Sequence, residues 1–191
     1  MQNIRKLPRF EYLAPRTLQE ACTLLYQHAD RARIVAGGTD LIPQIKRREM
    51  IPEFLIGLEG IPGLDRINYS EADGLRFGPL ITLAAIETSP VVQERFNVLY
   101  QAVHSMASSQ VRNLGTIGGN LCNAAPSADT APALIAMGAT LKLVAPRSER
   151  TIHVENFFTG PSQTVLGRGE ILADIQILDS SLCTSGVYIK H

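Results

Sequence analysis

Gly115-Thr116-Ile117-Gly118-Gly119-Asn120 is the second of two glycine-rich stretches in this chain; the first is Ala36-Gly37-Gly38-Thr39-Asp40. Glycines let consecutive main-chain N–H groups converge on a concave nest, and a helix starting just after them adds positive partial charge. Each stretch is therefore a candidate phosphate cradle. A single Gly-Gly pair is more often a plain turn. Two in one charge-poor chain give the functional reading equal weight. Neither is a Walker loop, which needs Lys after its final glycine, where this chain has Thr39 and Asn120. The fingerprint G-x-G-x-x-G is missing as well, which removes the usual argument for a Rossmann fold.

Around the first stretch the local signals are short strands and helices. Residues 10–13 alternate apolar and polar positions and run into Pro15, as an edge strand does. Thr17 and Glu20 spell a capping box, and Leu18, Ala21, Cys22 and Leu25 recur on one helical face, which makes Cys22 a core residue. Ile34-Val35-Ala36 is β-prone, and a short helix from Leu41 follows the glycines. Residues 54–58 suit another strand, between Pro52 and Pro62, and a subdomain boundary falls there: 1–57, then 58–178, with 179–191 beginning a third unit.

Around the second stretch, residues 64–69 and 75–77 flank an Asp73-Gly74 hairpin turn. Ser89-Pro90 opens a helix, and Leu99, Ala102, Val103 and Met106 mark the face of the next. Between residues 105 and 141 the only charges are Arg112 and Asp129, so this segment is packed core, the wall of a ligand site, or both. A helix over residues 130–137 closes at Gly138, strands follow at 140–144, 151–154 and 171–178, and residues 185–191 start a further strand.

The composition excludes several classes of function. The chain has 191 residues, 18 basic against 18 acidic, and a pI near 6.9, without the basic excess of a nucleic-acid binder. At this size a fold buries roughly 70% of its unfolded surface, enough for a core without staples. No apolar run reaches the ~20 residues of a membrane span, and the first nine residues have no apolar core of a secretory signal behind them. Three separated cysteines, Cys22, Cys122 and Cys183, suit a reducing, cytoplasmic setting. The four histidines lack metal-ligand spacing and the cysteines form no C-x-x-C pair, so no metal or iron–sulfur site is expected in this chain. No catalytic acid, base or nucleophile has a credible partner, and any chemistry must come from a bound cofactor. Asp129 reads either as the N-cap of the helix after it or as a carboxylate accepting ribose hydroxyls.

Phe10-Glu11-Tyr12 with Pro15 and a capped helix, then Ala36 to Leu41, then Gln110-Val111-Arg112-Asn113 running into Gly115 to Asn120, resembles the FAD-binding subunit of molybdenum hydroxylases, the xanthine dehydrogenase and carbon monoxide dehydrogenase type. The resemblance implies an α+β, two-subdomain FAD-binding domain of the vanillyl-alcohol-oxidase/PCMH type, with the family's C-terminal domain largely absent. It implies that FAD is held noncovalently by Ile34, Val35, Ala36, Gly37, Gly38, Thr39, Asp40 and Leu41 in one loop and by Thr116, Ile117, Gly118, Gly119 and Asn120 in the other. Asp129 falls on the adenosine ribose, Leu172 on the cofactor, and Lys190 on the flavin side. Met106 stands where some relatives place an aromatic residue, and the uninserted run from Asn120 to Asp129 leaves Cys122 structural. The implied partners are a molybdenum-binding large subunit and a small subunit with [2Fe–2S] clusters, whose electrons pass through FAD to NAD, oxygen or a quinone. Two alternatives stand beside this: a self-contained flavin reductase of the cell-wall precursor type, and a non-catalytic nucleotide-binding assembly module.

Overall fold

A computed structural model describes residues 6–178 and 186–190. The first fifty-odd residues build a small parallel sheet: β1 (Glu11–Leu13), α1 (Leu18–His28), β2 (Ala32–Val35), α2 (Leu41–Arg47) and β3 (Phe54–Gly57). The strand order is β1-β3-β2, so β1 lies at an edge, where the proline after it does no harm. Thr17 Oγ1 caps α1 by accepting from the Glu20 N–H. Glu20 reaches back one residue further than a capping box requires, to the Arg16 N–H at 2.8 Å. Cys22 is fully buried and its thiol donates to the Val144 carbonyl at 3.2 Å. Burial pushes that thiol up to about 11, so it is inert packing.

The remainder builds on a five-stranded antiparallel sheet. Its elements are β4 (Ile67–Ser70), β5 (Gly74–Phe77), α3 (Leu83–Thr88), α4 (Pro90–Arg95), α5 (Asn97–His104), α6 (Ser109–Arg112), α7 (Ile117–Asn123), α8 (Thr130–Ala136), β6 (Thr140–Val144), β7 (Glu149–His153), β8 (Phe158–Gly160), β9 (Gln163–Thr164) and β10 (Ile171–Ile177). The order β4-β5-β10-β6-β7 puts the last strand in the centre. The expected hairpin forms, with Gly74 at φ +70° closing the turn between β4 and β5.

Two apolar cores result, and they meet at β10. Successive strand residues point to opposite faces. Ile171 therefore packs with Ala21, Cys22, Ala32 and Ile56, while Leu172 packs with the larger cluster around Phe77, Phe96, Leu121 and Phe157. Leu58, Ile61 and Leu64 also join the first core, so packing carries that unit past the end of its sheet. α1 lies against β6 as well as its own strands.

Residues 186–190 correct the expected final strand: they form none. They are held by side chains instead, with the Tyr188 N–H donating to Gln101 Oε1 at 2.9 Å. The rest of the 179–191 segment lies outside the described residues. Among the described residues, no helix is long and apolar enough to cross a membrane.

Candidate functional site

A cleft of about 1190 Å³ runs between the two sheets, floored by the loop after β2 and walled by α7, the turn after α5 and the approach to β10. Pockets of about 300–1,000 Å³ hold drug-sized ligands, so this one has the room a dinucleotide needs.

The first glycine stretch enters the cleft as a donor-rich turn. Gly37, Gly38, Thr39 and Asp40 line it, and their main-chain N–H groups make no hydrogen bond to any described residue. Gly38 sits at φ +68°, a conformation that favours glycine. At Gly37 the constraint is contact: a Cβ would lie 2.0 Å from the Leu114 carbonyl oxygen. The two glycine stretches thus touch through backbone, and the cleft closes at that point.

The second stretch differs from the open nest expected of it. Thr116 is the N-cap of α7, its hydroxyl accepting from the Gly119 N–H at 3.1 Å. The Ile117 N–H goes to the Ile81 carbonyl, that of Gly118 to Pro79 and that of Asn120 to Thr116. Its donors are therefore largely spent inside the fold. What it offers a ligand is shape and one side chain: Asn120 Oδ1 accepts from the Thr130 hydroxyl, which leaves the amide NH₂ without a described partner on the cleft wall.

Of the residues singled out by sequence, Ile34, Ala36 to Leu41, Thr116, Gly118, Gly119, Asn120, Asp129, Leu172 and Lys190 all line the cleft. Val35 and Ile117 stand behind it: Val35 is paired with Gly57 in the sheet, and Ile117 is fully buried in the larger core.

Asp129 does not cap α8. Its backbone is already helical (φ −75°, ψ −24°) and its side chain makes no cap bond. The carboxylate turns to the tail instead: Oδ1 accepts from the Tyr188 hydroxyl and Oδ2 from Lys190 Nζ at 2.8 Å. Burial, reinforced by Asp129, pushes the Tyr188 phenol up to about 12. A carboxylate has about four acceptor positions. The described partners use two of them, one on each oxygen.

Cys122, read as structural, is exposed on the cleft wall, because α7 buries Ile117, Gly118 and Leu121, and the next residue round faces the opening. One further expectation changes. Met106 lies beyond the end of α5, in the turn that carries the chain to α6, and is both buried and part of the wall. Sequence reasoning missed Pro79, Leu80, Ala107 and the loop from Leu166 to Arg168 that leads into Gly169-Glu170-Ile171-Leu172, all in the wall. Gly167 and Gly169 were the available hint for that loop. Its brace, Arg150 bonded to both oxygens of Glu170 at 2.8 and 2.7 Å, joins residues twenty apart and has no local signature.

Residues 8–177 match the family described as the FAD binding domain in molybdopterin dehydrogenase. This chain belongs to that family. It is 36% identical to the carbon monoxide dehydrogenase medium chain of Hydrogenophaga pseudoflava over 183 residues, which is 96% of this chain and 63% of that one. It is 35% identical to the nicotine 6-hydroxylase medium subunit of Paenarthrobacter nicotinovorans, across 90% of this chain and 60% of the relative. The chain thus spans about three fifths of these relatives' length. Among solved structures, this FAD-binding-domain chain superposes on carbon monoxide dehydrogenase from Hydrogenophaga pseudoflava with a TM-score of 0.87 at 36% identity, covering 91% of this chain and 60% of that one. Quinoline 2-oxidoreductase from Pseudomonas putida 86 gives 0.85 at 32% identity, with the same coverage of each chain. The fold is thereby α+β, with the cleft in the family's nucleotide-binding domain.

Proposed function

We propose that the chain binds FAD noncovalently across this cleft and serves as the flavin-bearing electron-transfer subunit of a molybdenum hydroxylase, working in the cytoplasm. The observation that carries the reading is the run from Gly37 to Asp40, which lines a dinucleotide-sized cleft with four main-chain donors that have no partner among the described residues. These N–H groups hold the diphosphate, the Asn120 amide adds a donor from the opposite wall, and Asp129 accepts from a ribose hydroxyl while Tyr188 and Lys190 hold its carboxylate in place. Leu172 and Met106 provide apolar surface to exclude water from the ring system. Bound FAD supplies the chemistry by accepting electrons and releasing them in one- or two-electron steps. Electrons arrive from the [2Fe–2S] clusters of a small partner subunit, which are fed by substrate oxidation at the molybdenum cofactor of a large one. They leave to NAD, oxygen or a quinone.

The test is made on the full-length protein purified with its partner subunits. After dithionite reduction, mixing with NAD, oxygen or benzoquinone in stopped flow is expected to restore the oxidised flavin band with at least one acceptor. A complex that carries no flavin, or whose flavin none of the three re-oxidises, contradicts the reading and favours an assembly module. NADPH oxidation by this subunit alone with a sugar-nucleotide substrate supports a self-contained reductase instead.

A further inference from the structure

Arg112 stands almost alone in its stretch of sequence: it and Asp129 are the only charges between residues 105 and 141. Its side chain is only 12% exposed, and four contacts occupy the guanidinium. Nε and Nη2 donate to the two carboxylate oxygens of Glu87 at 2.8 and 3.2 Å, and Nη1 donates to the carbonyls of Met106 and Ala107 at 2.7 and 3.1 Å. Glu87 Oε1, the oxygen that accepts from Nη2, is also held by His104 Nδ1 at 2.8 Å. Neither Arg112 nor Glu87 lines the cleft, whereas Met106 and Ala107 both do.

Ala107 has φ +45°, in the left-handed region that a residue with a Cβ enters at a cost. Such a conformation persists only where neighbours over-determine it. Here the neighbour is one guanidinium whose planar fork spans a carboxylate on α3 and two successive carbonyls of the strained turn. A lysine ammonium has no such fork and cannot make the same set of bonds. A mostly buried ion pair is poor evidence of net stability, so its geometry needs another account. The turn it fixes presents a methionine, whose polarizable thioether suits the face or edge of an aromatic ring.

We infer that Arg112, paired with Glu87, is a positioning residue that clamps the Met106–Ala107 turn against an aromatic ring of the bound cofactor. This rests on the reading of the cleft as an FAD site.

The experiment compares Arg112→Lys and Arg112→Ala with wild type in the full-length protein. Labelled methionine methyl resonances are followed by NMR without FAD, and then the affinities for FAD and ADP and the visible spectrum of bound FAD are measured. The Met106 methyl resonance is expected to move in both variants. FAD affinity falls about tenfold, and lysine does not rescue it. If the ring is the isoalloxazine, ADP affinity is unchanged and the flavin band shifts; if it is the adenine, ADP affinity falls equally and the band stays. An unmoved Met106 resonance, or FAD affinity within about twofold of wild type in a folded Arg112→Lys protein, overturns the inference. Failure of the wild type itself to bind FAD overturns the reading of the cleft, and the NMR comparison still reports on the clamp.

Discussion

At the residue scale, Asp129 is the side chain whose role the structure changes most. Its sequence position suited either a helix cap or a ribose acceptor, and a cap substitution would lower stability by about 1 kcal/mol through α8. Instead its carboxylate holds the tail. Asp129→Asn is expected to weaken FAD binding roughly ten- to hundredfold, since hydrogen bonds to a charged group contribute about 1.5–3 kcal/mol. Isothermal titration with FAD measures this. The same variant is expected to let the Tyr188 phenol titrate lower, back toward its ordinary value of 10.0, because it removes the negative charge that adds to burial. An ultraviolet phenolate titration that leaves Tyr188 unmoved would remove Asp129 as a cause. Gly37→Ala acts differently. Its new Cβ meets a backbone oxygen that no side-chain rotation can clear, and overpacking of this kind costs about 1–3 kcal/mol. Chemical denaturation of the variant is the check.

At the scale of elements, the legible features are those with local causes. Cap chemistry and a 3.6-residue period marked α1, alternation before Pro15 marked β1 at Glu11–Leu13, and Asp73-Gly74 marked the hairpin. Thr116 was visible as a loop residue but not as the cap of α7, because the glycines after it resemble a turn more than a helix start. The loop before β10 was illegible, since its brace is an Arg150–Glu170 pair from elements far apart in the chain. That brace yields a pH prediction. The hydrogen bonds from Arg150 hold Glu170 below its ordinary 4.5; burial opposes them, and the Gly167 N–H assists. A depressed carboxylate stabilises the fold above its unfolded value, and that contribution is lost as pH falls through the folded value. The difference in melting temperature between wild type and Glu170→Gln is therefore expected to be largest at neutral pH and to shrink below about pH 4.5. A difference that stays constant with pH would show that the charge is not what holds the loop.

At the scale of the whole molecule, the site exists because two differently built sheets share one strand's neighbourhood. The parallel sheet brings the first glycine turn, the antiparallel sheet brings α7 and the Met106 turn, and β10 places Ile171 in one core and Leu172 in the other. No local pattern shows that the last strand inserts at the centre of its sheet, because strand order is a property of long-range pairing. The two glycine stretches carried the site across that gap: residues known only by their position in sequence converge on one cleft. The central claim is that this cleft holds FAD, and an equilibrium titration of FAD into the flavin-free full-length protein, followed by quenching of flavin fluorescence, tests it most directly. Saturable binding of one FAD per chain, weakened in Asp129→Asn, is the predicted result. A linear, unsaturated response, or saturable binding unaffected by Asp129→Asn, would contradict the account.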